Sequence, residues 1–330
     1  MRETMTIRWG YAIDQWKPQF DDFVRRRDHE RALKTIAVAG FAGVQLTSGT
    51  GRWQPLGNST QIEANFGSLE GFADFVRSCA LDGVAAFVFD PTQGFHEDLS
   101  HGADPRQRDD RDAVITKALW FADAVSRTGG DVLVARPAPS GQAGAADTAA
   151  IAAAAECWNA VGQATARIGV RTALRFDFLS SLRLADGWDR LLGALDPEYV
   201  GVALDTGELA AAGRDPLAEI ESCPLPIWHV ILSNAQARDD LDEFTRPGAE
   251  FSVRQAGGRR GIARWFGEID ESGLVDAEAI VTALRGRAYH GWIVVNTAPS
   301  PHPATSVLLS GYHLQRVLRP LTASSERSTA

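Results

Sequence analysis

The strongest constraint on this chain is its rhythm: eight short apolar runs, each followed by a longer segment whose apolar residues recur at helical spacing. The runs fall at Ile7–Ala12, Gly43–Leu46, Ala85–Phe89, Val132–Ala135, Thr172–Phe176, Val200–Leu204, Ile227–Leu232 and Trp292–Val295. Helical patterns lie between and after them, at 28–39, 68–82, 110–128, 148–168, 184–194, 215–221, 276–285 and 304–318. Parallel strands need long crossovers, and helices are the usual ones, so the pattern predicts an α/β protein with a helix-covered parallel sheet. Eight such units close into a (β/α)8 TIM barrel, typically ~250 residues long; a doubly wound open sheet is the alternative. The 330 residues fit one barrel domain over 1–320, with insertions at Thr47–Gly67 and Leu232–Phe266. Both insertions follow strands, which puts them on the C-terminal rim as candidate lids. Residues 321–330 are mostly small and polar and read as a disordered C-terminal tail.

Charge narrows the partners. Acidic residues outnumber basic ones, 42 to 33, giving a formal net charge of −9 without an acidic tail, which disfavours nucleic acid and anionic membrane as partners. A small-molecule substrate is expected, and a homo-oligomer is compatible with the sequence. Cys79, Cys157 and Cys223 are far apart and form no C-x-x-C pair, so neither a disulfide framework nor a structural zinc site is indicated. No apolar run approaches the roughly 20 residues of a membrane span, and Met1–Arg8 lacks the core of a secretory signal. A cytoplasmic protein is expected.

Standard motifs are mostly missing. Gly49-Thr50-Gly51 runs on into Arg-Trp-Gln rather than a dinucleotide fingerprint, and no Gly-Lys pair makes a phosphate loop, so no cofactor is expected. Lys17, Lys34 and Lys117, the three lysines, lie away from predicted strand ends, which disfavours Schiff-base chemistry. His96 and His101 are five apart; at about 100° per residue they would sit roughly 140° apart on a helix, unable to share a metal.

The informative segment is Tyr199-Val-Gly-Val-Ala-Leu-Asp-Thr-Gly-Glu208, a small apolar strand running into Asp-Thr-Gly. The two-residue period puts Gly201, Ala203 and Asp205 on one inward face, with Asp205 at the barrel mouth. Here the chain resembles the sugar phosphate isomerase/epimerase family, the xylose isomerase-like TIM barrels that include inosose dehydratases, ketose 3-epimerases and dehydroshikimate dehydratases. Gly40–Leu46 looks like the family's second strand, Ile227–Asn234 like its seventh, and Phe266–Asp270 through Gly291–Asn296 like its last repeat.

The resemblance implies a divalent metal held by a Glu, an Asp, a His and a Glu on strands five to eight. Only the Asp is matched, as Asp205. The seventh-strand His position falls on Ile231, the eighth-strand Glu position on Asn296, and the family's His three residues after the Asp is Glu208. Strand five has no Glu, only Asp177 as a stand-in, and the family's second-strand Glu is Gln45. Hard cations want several oxygen donors in fixed geometry, so no tightly bound metal is expected.

The remaining rim residues carry alternatives. Asp205 and Glu208, three apart, form either an acid/base pair with one raised pKa or a loop cap with Glu208 paired to an arginine such as Arg214. His229, on the face of Ile231 and Ser233, is either a general acid/base or a packed orienting histidine. Arg175 either anchors a substrate anion or pairs with Asp177 or Asp205. Arg136 is a second anchor, Asn234 and Asn296 position oxygens, and Trp9 is either an apolar wall or core. Trp228 and Trp292 are assigned to the barrel–helix interface. Two functions follow: a metal-independent isomerase, epimerase or lyase that moves a proton next to a carbonyl of a small polyhydroxylated or ketone-bearing molecule, or a non-catalytic barrel acting as a binding or partner subunit.

Overall fold

The computed structural model describes residues 7–13, 22–48, 56–92, 102–139, 145–240, 266–270, 272–297, 300 and 302–322. In chain order the elements begin β1 (Ile7–Ala12), α1 (Asp22–Val38), β2 (Gly43–Thr47), α2 (Ser59–Phe66), α3 (Leu69–Ser78), β3 (Gly83–Phe89), α4 (Arg111–Arg127), β4 (Val132–Ala135), α5 (Thr148–Ala166) and β5 (Arg171–Arg175). They continue with α6 (Gly187–Leu192), β6 (Val200–Asp205), α7 (Thr206–Ala211), α8 (Pro216–Ser222), β7 (Ile227–Leu232), β8 (Asn234–Ala235), β9 (Phe266–Gly267), α9 (Ala277–Gly286), β10 (Gly291–Val295), α10 (Pro303–His313) and α11 (Arg319–Thr322). Eight parallel strands close in the order β1-β10-β7-β6-β5-β4-β3-β2, a single (β/α)8 barrel. No helix among the described residues is long and apolar enough to cross a membrane.

Each predicted strand is present to within a residue or two. Periodicity missed what is short or irregular. Part of the first insertion is the 8-residue α2, capped by the Asn58 side chain, which accepts from the Thr60 and Gln61 amides. Its Phe66 packs on Phe72 and Phe75 with ring centroids 5.0 and 4.9 Å away, so this part of the candidate lid docks on α3. The second insertion starts and ends in the antiparallel pair β8–β9. Residues 49–55 and 241–265, the His96–His101 run, Trp16, Trp53 and the tail from 323 lie outside the described residues.

The barrel interior explains the small residues of its strands. Trp292 packs with Ala12, Ala85 and Val294, and Trp228 packs against the cluster of Ala86, Val132, Ala173 and Ala203. A Cβ on Gly43 would come within 2.5 Å of the Trp292 ring, and one on Gly201 within 2.5 Å of Trp228. Two indoles thus fill the barrel floor, which corrects their assignment to the helix interface; the sequence period alone cannot resolve a β6–β7 register that shifts between Val202 and Ala203. Arg8 and Arg171 lie over these rings, at 4.3 and 5.9 Å from the centroids. Overpacking this floor is costly: Gly43→Ala should lose about 1–3 kcal/mol, read as a lower urea midpoint with an unchanged slope.

Candidate active site

The mouth is built from the end of β6. Asp205 is the last strand residue, and its Oδ1 accepts the Glu208 amide at 3.2 Å, which caps α7 and turns Glu208 back toward the barrel. Thr206 Oγ1 donates to the Ser233 carbonyl at 2.6 Å and accepts the Ser233 amide at 2.9 Å. The Gly207 amide donates to Ser233 Oγ at 2.9 Å, and a Cβ on Gly207 would lie 2.5 Å from that oxygen. Ser233 Oγ in turn donates to Asp205 Oδ1 at 2.7 Å. The Asp-Thr-Gly triplet is therefore a clasp between β6 and the end of β7.

Arg175 completes it from β5. Its register partner on β6 is Ala203, so its side chain faces the same interior. Nε lies 2.9 Å from Asp205 Oδ2, and Nη2 binds Glu208 Oε1. The other Glu208 oxygen accepts the Phe178 amide at 2.6 Å. One guanidinium thus bridges two carboxylates, with side-chain exposures of only 11%, 1% and 13% for Arg175, Asp205 and Glu208. A second unit adjoins it: Arg136 Nη1 stands 3.6 Å from Asp90 and 3.7 Å from Asp177, too long for hydrogen bonds but close enough for ion pairing. Asp90 Oδ1 holds the Thr92 amide at 2.9 Å and hydroxyl at 2.6 Å. Buried Lys117 donates to the Pro91 carbonyl at 3.1 Å; burial lowers its pKa, opposed by Asp90 and Asp110.

Four carboxylates thus share the mouth with two guanidinium groups. Burial raises the Glu208 pKa most, to about 7; Asp205 and Asp177 add to the rise, while Arg175 and Arg136 oppose it. Glu208 is partnered by Arg175 rather than by Arg214, whose guanidinium binds Asp189 and Glu219. The loop cap is present, closed through Arg175 in place of Arg214, and the Glu208 pKa is raised within it.

Other expected site residues fall elsewhere. His229 is fully buried one layer below Ile231, and its Nε2 is 2.8 Å from Gln45 Oε1 across the interior. Burial, then the charge of Arg171, pushes its pKa down to about 3, so the ring is neutral and a poor proton acceptor. Asn234 donates to the Glu268 carbonyl at 3.0 Å and accepts the Val275 amide at 3.2 Å, fastening the second insertion's base. Trp9 belongs to the core cluster of Leu33 and Ile36, outside the barrel wall; β1 alternation turns it away from the mouth, correcting its placement as a wall. Asn296 follows β10, half-buried, with its amide on the Leu232 carbonyl at 3.0 Å. Asp90, Ser233 and the Phe178 amide were not singled out from sequence. Asp90 was legible as the polar residue directly after the third apolar run; the other two act through turns that no periodicity reports.

The family profile described as Xylose isomerase-like TIM barrel matches residues 33–310. The chain belongs to that family. It is 26% identical over 163 residues to an inosose dehydratase of Geobacillus kaustophilus, a match covering 48% of this chain and 50% of the relative. The chain thus spans about half the length of that relative. Among solved structures, a probable 3-DHS dehydratase from Bacillus anthracis superposes with a TM-score of 0.67 at 15% identity, covering 94% of this chain and 99% of the other. An L-ribulose 3-epimerase superposes with a TM-score of 0.66 at 15% identity, covering 96% and 95%.

The metal that xylose isomerase-like barrels carry at this mouth does not fit these residues. The one matched ligand, Asp205, is already engaged by Arg175 and Ser233, Ile231 offers no donor atom, and the inward strand-five position holds a cation. A divalent ion there would meet the Arg175 guanidinium, with Asp205 and Glu208 both already paired to it. Among the described residues, no group of three or more His, Cys, Asp or Glu is placed to hold a metal ion.

Removing the cation should expose its role. Arg175→Met leaves two buried carboxylates uncompensated and should cost about 3–5 kcal/mol at neutral pH, measured by chemical denaturation. A carboxyl raised from 4.5 to about 7 keeps, in the folded state, a proton that the unfolded chain has lost. Stability from Glu208 is therefore greatest below pH 4.5 and falls as pH rises to about 7. Glu208→Gln should flatten that slope in a pH series of denaturation midpoints.

Proposed function

We propose that this barrel is a metal-independent isomerase, epimerase or dehydratase-type lyase acting on a small polyhydroxylated ketone. The observation that carries the reading is the buried Asp205–Arg175–Glu208 bridge at the C-terminal mouth. The names of its relatives, inosose dehydratase, 3-DHS dehydratase and L-ribulose 3-epimerase, support the substrate class.

Glu208 is the acid/base. With a pKa of about 7 it exists in both protonation states near neutrality, which suits removal of a proton from the carbon beside a carbonyl and its return. Arg175 supplies the electrophile. A guanidinium has five N–H donors; Arg175 gives one to Glu208 and only ion-pairs with Asp205, so others can serve the oxygen on which enolate charge develops. Asp205, fixed by Ser233, holds the guanidinium in place. Arg136, Asp90 and Asp177 provide hydroxyl-binding groups beside it. Return of the proton to the opposite face epimerises the carbon, return to the neighbouring carbon isomerises the ketone, and departure of a β-hydroxyl as water completes a dehydration. Neutral His229 and Gln45 support the interior and transfer no proton. We place this activity in the cytoplasm, with a small molecule rather than nucleic acid or membrane as ligand.

The test incubates the protein with EDTA and a panel of ketoses and inososes in D2O, following exchange at the carbon next to the carbonyl by proton NMR. Exchange in EDTA is expected, and Glu208→Gln should slow it on the order of 10²-fold or more. Activity that appears only with added divalent metal, or a Glu208→Gln rate within a few-fold of the parent, would sink the reading.

A further inference from the structure

The loop after β5 contains an ion pair that the chemistry above does not use. Arg183, in the 3-10 turn Ser181–Arg183, places Nη2 at 2.6 Å from Asp239 Oδ2, with side-chain exposures of 2% and 1%. The same nitrogen reaches the Asp239 carbonyl at 3.3 Å, and Nη1 donates to the Phe178 carbonyl at 3.2 Å. The guanidinium carbon also sits 4.9 Å from the centroid of the Phe178 ring. Asp239 is itself anchored, its amide donating to the Ala211 carbonyl at the end of α7 at 2.8 Å.

Phe178 is therefore gripped from two sides. Its carbonyl and ring belong to Arg183, and its amide belongs to Glu208. Asp239 lies within the second insertion, Leu232–Phe266, next to Arg238. A buried ion pair of this kind is weak evidence for net stability, because desolvation of both charges offsets most of their attraction. What it supplies is position: a planar guanidinium fixes a backbone carbonyl and a carboxylate in one geometry.

We propose that Arg183 is a positioning residue for Glu208: by binding Asp239 and the Phe178 carbonyl together, it ties the leading edge of the second insertion to the amide that holds the Glu208 carboxylate. The role rests on Glu208 being the acid/base of the mouth. The other charged groups facing that carboxylate are Arg175, Asp205, Asp177 and Arg136; the connection from Arg183 runs through Phe178.

The readout is the Phe178 amide resonance in protein labelled with 15N-phenylalanine, assigned with Phe178→Leu. An amide proton on a carboxylate at this short distance lies downfield, and Glu208→Gln, which makes the acceptor neutral, moves it upfield. Arg183→Met should move the resonance in the same direction, and Asp239→Asn should do so with the hydrogen-bonding shape of the partner kept. Arg183→Lys, which can still reach Asp239, should stay nearer the parent. A resonance unmoved in Arg183→Met overturns the proposal; if that variant does not fold, an unmoved resonance in Asp239→Asn overturns it equally. Turnover is not needed for this reading, so absence of exchange in the D2O assay would remove the enzymatic proposal while the resonance still decides the role of Arg183.

Discussion

A guanidinium withdrawn from water needs carboxylates around it, and buried carboxylates need a cation; at the mouth of this barrel Arg175 satisfies both requirements at once. Its two partners come from positions three apart in one short strand-to-helix turn. Asp205 ends β6 and Glu208 lies one turn into α7, so the distance between the carboxylates is set by the helical cap rather than by loop conformation. The rest of the mouth is arranged to keep that cap in place. Thr206 and Gly207 clasp Ser233, Ser233 holds Asp205, and Phe178 holds the far oxygen of Glu208.

The substitutions that separate this chain from a metal-binding barrel are mutually consistent. A cation on β5 would repel a divalent ion, and Ile231 in place of an imidazole would remove one of its ligands. In the proposed mechanism a covalently tethered cation stands where a metal-binding barrel would place its ion. A tethered guanidinium presents directed N–H donors where a metal presents a spherical charge, so it can stabilise an oxyanion and set its direction. Below the mouth the interior is closed by unlike means: neutral His229 bonded to Gln45, then two indoles packed over Gly43 and Gly201. This floor confines polar chemistry to the rim, where burial is deep enough to raise the Glu208 pKa.

The barrel was legible because its signal is local and repeated. Each strand is a short apolar run, each helix carries its own period, and eight repetitions leave few ways to bury both faces of the sheet. Asp205 and Arg175 were legible as candidates because strand alternation points side chains inward without any knowledge of neighbours, and Glu208 by its place three residues after Asp205. Alternation failed where the ladder is irregular. Trp228 turns inward beside the β6–β7 register shift, and Asn234 left the mouth because β7 is followed by the separate strand β8; Trp292 sits on a regular ladder and shares the inward face of Val294, as alternation itself would place it.

The sequence by itself determined the fold class and the direction of the strands, because these depend on period and on the chemistry of single positions. Tertiary structure alone decided who pairs with whom. Arg175 had Asp177 two residues away and bound Asp205 and Glu208 at the junction of β6 and α7; Arg214 left Glu208 for Asp189 and Glu219; Arg136 stands between the ends of β3 and β5. The physical reason is that an ion pair is fixed by distances of a few ångströms between atoms far apart in the chain. Those distances follow from register, strand tilt and capping acting together, and no local pattern of residues encodes them.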